Sequence, residues 1–136
     1  MVVQTQSNSD VFQRIWELYA AGRGPEILEH LDPAVEWRPV LVEPASYHGH
    51  DGVRTWATAV RGAWKSVTVV LEELREVDGC IVALGRIAAS DHRGEPVVDS
   101  VLSCVAEFRH ERIVRACSFF SADDALAWVS ARPALP

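Results

Sequence analysis

Two histidines and an aspartate stand close together in Tyr47-His48-Gly49-His50-Asp51-Gly52-Val53-Arg54-Thr55-Trp56. On a strand, a His-x-His spacing points both imidazoles the same way, and imidazole suits zinc, iron or copper. Asp51 or the pair Asp91-His92 has the chemistry to complete such a set. But Gly49 and Gly52 flank His50 and argue against a regular strand. Asp51 also sits where a helix cap or first-turn acid belongs. The stretch therefore reads as a turn and helix start that holds no metal. Asp51 is its cap, His50 is structural, and His48 remains as an acid–base candidate, because imidazole titrates near neutral pH.

Two further residues are candidates for proton transfer or anion stabilisation. Tyr19 ends an apolar helix face, and its hydroxyl reaches either a cavity or a backbone carbonyl. Arg86 lies mid-strand in "ALGRIAAS". It either pairs with an acid on the sheet surface or reaches a ligand carboxylate or phenolate. Cys104 has neither His nor Lys beside it to lower its pKa, so it reads as packing and not as a nucleophile. Glu36 reads as structural, near Arg38. No Ser-His-Asp order, phosphate-binding glycine loop or dinucleotide fingerprint occurs, and no cofactor is implied.

The elements that must position these residues follow from hydrophobic period. Ser9 is placed to cap a first helix whose apolar face is Phe12, Ile15, Trp16 and Tyr19. Pro25 opens a short second helix, "PEILEHL", which Asp32-Pro33 stops. "AVEWRPV" alternates as a strand with Val35 and Trp37 on one side. Val53, Trp56, Ala57, Val60 and Trp64 form the stripe of a third helix, with Arg54, Thr55, Thr58 and Arg61 on its wet side. Four strands then meander: "SVTVVLEELREV", "CIVALGRIAAS", "VVDSVLSCVAEF" and "IVRACSFF". Asp78-Gly79 and "DHRGEP" serve as hairpin turns. Ser121 opens a closing helix. Helices followed by a run of strands make an α+β fold, and a strongly curved sheet around the helices would leave an apolar cavity.

Composition bounds the function. A chain of 136 residues reads as one domain, 1–136, with a core of about 9–130. The net charge of −6, from 19 acidic against 13 basic residues, leaves no basic footprint for nucleic acid. Cys80, Cys104 and Cys117 show no CxxC spacing and fit buried free thiols in a reducing compartment. No signal peptide and no membrane-spanning run is read, so a cytoplasmic protein is expected.

"LDPAVEWRP", "YHGHDGVRTW", "VLEELREVDGCIVALGRI" and "FRHERIVRACSFFSADDALAW", in that order, resemble the SnoaL-like branch of the nuclear transport factor 2-like superfamily. The resemblance covers roughly residues 9–130. It implies a cone-shaped, curved mixed β-sheet wrapped around three N-terminal helices, a deep apolar pocket, and a homodimer packed through the sheet. It places His48 at the pocket mouth and Trp37 and Trp56 beside the pocket. Its register turns Leu102, Cys104, Ser118 and Phe120 inward as ligand contacts, and leaves Arg115, Cys117 and Phe119 on the outer side for a dimer partner to cover. It does not imply one activity. On the ketosteroid isomerase pattern, the tyrosine, general base and second oxyanion-hole acid fall at Ile15, Trp37 and Cys104, so that mechanism is rejected. The arrangement of limonene epoxide hydrolase also fails, since Arg86 is present but residue 88 is Ala.

Three functions are consistent with these features. The first is a protein of unassigned activity that binds a small, largely apolar molecule. The second is a cofactor-independent isomerase, dehydratase or polyketide cyclase using His48, Tyr19 or Arg86. The third is a non-catalytic dimerisation module, to which the others give way if side chains fill the cavity.

Overall fold

The Ser7 hydroxyl accepts a hydrogen bond from the Asp10 backbone N–H at 3.2 Å and so starts α1 (Asn8–Ala20) in a computed structural model that describes residues 7–132. The cap is Ser7 and not Ser9, because only the residue before the first turn offers its side chain to the free N–H groups. Val11, Phe12, Ile15 and Leu18 form the buried face of α1. The second expected helix is a 3-10 segment, Gly24–His30, with Pro25 in its first turn. Asp32-Pro33 lies inside β1 (Leu31–Arg38), where the Asp32 carboxylate accepts from the Ala34 N–H at 2.8 Å.

The opening stretch divides differently from its sequence reading. Tyr47–His48 is a two-residue strand, β2, antiparallel to β1, and too short to show a period of its own. Helix α2 (Gly49–Ala63) begins immediately after it. Asp51 is not the cap. It stands within the first turn, where a negative charge suits the helix dipole, and pairs with Arg54 at 2.5 Å in full solvent exposure. His50 is structural, with its ring nitrogen 2.9 Å from the Leu31 carbonyl, joining α2 to β1.

The strands β3 (Ser66–Val77), β4 (Cys80–Ser90), β5 (Pro96–Arg109) and β6 (Arg112–Phe119) form the expected meander. Asp78 and Gly79 both take positive φ, at 48° and 81°, the backbone of a tight two-residue hairpin turn. Ser121 starts α3 (Ala122–Ala131), its hydroxyl accepting from the Asp124 N–H at 3.1 Å. All six strands form one curved, unclosed mixed sheet in the order β2-β1-β6-β5-β4-β3. Every neighbouring pair is antiparallel except β1 with β6. Among the described residues no helix is long and apolar enough to cross a membrane.

Register sets what each face carries. Ile81, Ala106, Ala116, Trp37 and Tyr47 make one row across five strands. Ala83, Cys104 and Ser118 make a second row. These residues face α1, the 3-10 segment and α2, and most are buried in one core with them. The opposite face carries α3, whose Ala125 and Val129 pack on Val82 and Val105. Arg115 lies 5.6 Å from the Trp128 ring, and Phe119 packs into the same cluster. The outer residues Arg115 and Phe119 thus pack against this chain's own last helix.

Gly85 lies where β4 passes the bulge in β3 between Leu71 and Glu73. A Cβ at this position would fall 2.0 Å from the Val70 carbonyl oxygen, a backbone atom with no freedom to retreat. Gly85→Ala is expected to destabilise the fold by about 2–3 kcal/mol. Urea unfolding followed by tryptophan fluorescence checks this, and an unchanged midpoint would refute the close approach.

Candidate functional site

Five aromatic rings run in contact across the space between sheet and helices. Phe12 meets Trp16 edge-on at 6.3 Å, and Trp16 meets Tyr19 edge-on at 6.2 Å. Tyr19 stacks on Trp56 at 5.5 Å, and Trp56 meets Trp37 at 5.1 Å. Trp16 and Tyr19 come from α1, Trp56 from α2 and Trp37 from β1. The chain of rings therefore ties the helices to the sheet. Beneath it lies the row of small side chains Ala83, Cys104 and Ser118.

This packing leaves two cavities of about 40 Å³ each between the sheet and the helices. Trp16, Trp56 and Ser118 line both. Trp37, Cys104 and Ala116 complete the first, and Tyr19, Leu41 and Leu102 stand in the second. A cleft of about 450 Å³ opens on the far side of the Tyr19–Trp56 stack, between the end of α1, the 3-10 segment and α2. Ile27, Leu28, Val53 and Arg61 are among its walls. Tyr19 and Trp56 thus form the partition between the cleft and the interior.

The polarity of the interior is one-sided. Trp37 and Trp56 are only 8% and 7% exposed, yet their indole N–H groups have no hydrogen-bond partner, and neither has that of Trp16. Trp64, which lines neither cavity, shows the ordinary arrangement: its indole N–H donates to the Leu41 carbonyl at 3.0 Å. The residues lining the two cavities include no His, Asp, Glu or Lys. Desolvation raises the Tyr19 pKa, with the nearby Arg61 charge opposing it, so the phenol stays a neutral donor at ordinary pH. Burial pushes the Cys104 thiol up to about 11, against a smaller opposing effect from the Ser118 hydroxyl 3.3 Å away.

The structure places the expected site residues as follows. Trp37, Trp56, Leu102, Cys104 and Ser118 all line the interior cavities, and Tyr19 lines the second cavity and the cleft. Phe120 does not: it follows the last residue of β6, is 47% exposed and lines none of these spaces. Alternation assigned its side, but the strand ends before alternation reaches it. His48 is also displaced. Tyr47 takes the inward place on β2, so its neighbour His48 is exposed and contacts Ser46 at 3.3 Å. Arg86 lies on the outer face, paired with Asp99 at 2.9 Å. Glu36 pairs with Arg38 at 2.8 Å. The ring of His92 contacts the Gly62 carbonyl at 2.7 Å, and Asp91 accepts from the Arg93 and Glu95 N–H groups at 2.9 and 3.0 Å. Among the described residues no group of three His, Cys, Asp or Glu side chains is placed to hold a metal.

Trp16 and the segment Pro39, Val40 and Leu41 are among the lining residues outside the candidates read from sequence. The spacing of Trp16 from Phe12 and Tyr19 sets it on the same helical side as both. Pro39, Val40 and Leu41, just beyond the end of β1, form a wall of the second cavity.

Comparison with known proteins adds the fold class. No protein-family model matches the chain, and no curated protein sequence matches it. Solved structures do. A nuclear transport factor 2-like protein of unknown function from Burkholderia pseudomallei superposes with a TM-score of 0.76 at 20% identity, over 93% of this chain and 100% of that one. TerC co-crystallised with polyporic acid gives 0.73 at 17% identity, over 91% and 98%. A protein described as SnoaL-like, from Jannaschia, gives 0.70 at 13% identity, over 96% and 100%. At such identities the likeness is one of fold. The chain has the nuclear transport factor 2-like fold shared by SnoaL-like and ketosteroid isomerase-like proteins.

The thiol environments are testable. Burial raises the pKa of Cys80 as well, and that of Cys117 to about 12. At pH 8 a thiol with a pKa of about 11 is ionised in roughly one molecule in a thousand. Since the folded value exceeds the unfolded 9.0, the unfolded chain ionises first. The thiol's contribution to stability is complete below pH 9 and fades as pH rises toward about 11. A thiol-reactive chromophore at pH 8 should find none of Cys80, Cys104 and Cys117 in the native protein and all three in denaturant. Fast labelling of native Cys104 would contradict the site as described.

Proposed function

We propose that this protein binds a small, largely apolar organic molecule in the space between the sheet and its helices, and does so without catalysis. One observation carries this reading: the two interior cavities sit over small side chains, are walled by tryptophans, and contain no carboxylate, imidazole or amine. Such an interior offers apolar surface and shape but no general base. TerC, a protein of the same fold, is co-crystallised with an organic molecule, polyporic acid, which supports use of the fold in this way.

The alternative of an isomerase, dehydratase or polyketide cyclase would rest on Tyr19 alone. His48 and Arg86 face away, and Tyr19, held protonated, is suited to donate to an oxygen but not to abstract a proton. Native mass spectrometry of the purified protein, with tryptophan fluorescence during titration of hydrophobic probes, tests the binding reading. Ligand binding should quench fluorescence, and Ser118→Leu, which fills both cavities, should weaken it by about tenfold or more. Probes that bind the variant equally well would remove the interior as the site.

A second reading concerns assembly through the sheet. Val70, Val97 and Val101 are exposed on the outer face around the Arg86–Asp99 pair, beyond the part that α3 covers. An apolar patch of this kind suits a second copy of the chain. Analytical ultracentrifugation should show a dimer, and Val101→Asp should convert it to monomer while changing monomer stability by no more than about 0.5 kcal/mol. A monomer at all concentrations of the unaltered protein would overturn this reading.

A further inference from the structure

We infer that the interior selects a neutral organic molecule bearing a hydrogen-bond acceptor oxygen of the ketone or quinone type, which receives the indole N–H groups of Trp16, Trp37 and Trp56. This rests on the reading that the interior is the ligand site and names the chemistry that site prefers.

Buried donors in folded proteins are nearly always paired, because an unpaired one forfeits its bonds to water without replacement. Here three unpaired donors belong to the three indoles that line one cavity. Trp64, outside that cavity, is paired. Among the described residues three of the four buried side-chain polar atoms without a partner are these indoles, and the fourth, the Ser103 hydroxyl, lies on the opposite face of the sheet. What the interior offers is donors: three indole N–H groups and the phenol of Tyr19, while the Ser118 hydroxyl and Cys104 thiol are in contact with each other at 3.3 Å. A molecule that brings its own donor finds no carboxylate or imidazole to receive it.

Charge narrows the class further. Arg38 is the one cation among the residues lining the two cavities, and its guanidinium is half exposed and paired with Glu36 at 2.8 Å, while Arg54 and Arg61 line the cleft on the other side of the Tyr19–Trp56 stack. A carboxylate would be buried without a free counter-charge, which costs far more than burying a neutral carbonyl. Space is available for a ring-sized molecule once the Tyr19–Trp56 stack turns aside, since those two rings alone appear in the walls of both the second cavity and the 450 Å³ cleft. Rotamer changes of this kind are common on binding.

Three probes of similar shape test the inference: acetophenone, ethylbenzene and benzoate. Each is titrated into protein labelled with ¹⁵N at the tryptophan indoles, and binding and indole N–H shifts are followed by NMR, with Trp→Phe variants assigning the signals. Acetophenone should bind about tenfold or more tightly than ethylbenzene. It should move at least one of the Trp16, Trp37 and Trp56 indole protons downfield and leave Trp64 in place. Trp37→Phe or Trp56→Phe should narrow the gap between the two probes, and if neither variant folds, the shifts in the unaltered protein decide. Equal binding of acetophenone and ethylbenzene, or indole shifts identical for both, overturns the inference and leaves the interior as an apolar site. Benzoate binding as tightly as acetophenone overturns the neutral class. Failure of all three to bind overturns the inference together with the reading it rests on.

Discussion

A sheet that curves around its helices must fill a concave face, and the contact between Trp37 on β1 and Trp56 on α2, 5.1 Å between rings, is where this chain does so. Each ring covers area that would take two aliphatic side chains, and together they connect the sheet to the helices. The contact is possible because the strands beneath carry Ala83, Ala106, Ala116, Cys104 and Ser118. Bulk from above meets small residues from below, and close packing is reached with two small gaps.

Charge is sorted to the other side of the sheet. Glu107, buried beneath α3, accepts from Arg115 at 2.5 Å and from Arg132 at 2.9 Å, while Arg132 also donates to the Asp78 and Val129 carbonyls. Removing one member of such a cluster leaves a buried charge without compensation, so it holds α3 in a single position. The exposed pairs Arg86–Asp99 and Arg75–Glu73 lie among strands whose inner faces are apolar. The concave side is therefore nearly free of ionisable groups, and its chemistry reduces to apolar area and unpaired indole donors.

Periodicity made most of the elements legible. The stripes of α1 and α2, the alternation of β3 to β6, and the turns at Asp78-Gly79 and Asp91–Glu95 all recur in the structure. So do the inward places of Leu102, Cys104 and Ser118. What failed lay at the ends of elements. Phe120 falls past its strand, Ser7 replaces Ser9 as the cap, and β2 is too short to show a pattern. His48 misled because a side chain's face is set by its strand register, and a shift of one residue reverses it; for Arg86 the register selects the surface pair over the ligand contact.

The sequence by itself determined the α+β class and the order of elements, because these depend on composition and on local periods of 2 and 3.6 residues. Only the tertiary structure decided that β1 runs parallel to β6, that α3 packs over Arg115, and that His48 looks outward. It alone brought Trp16, Trp37 and Trp56 together. Those three residues are spread over more than forty positions, and local spacing carries no information about how far the sheet will curve. For the same reason YHGHDGVRTW, the richest stretch in chemical terms, contributes to the site through Trp56 and not through its histidines.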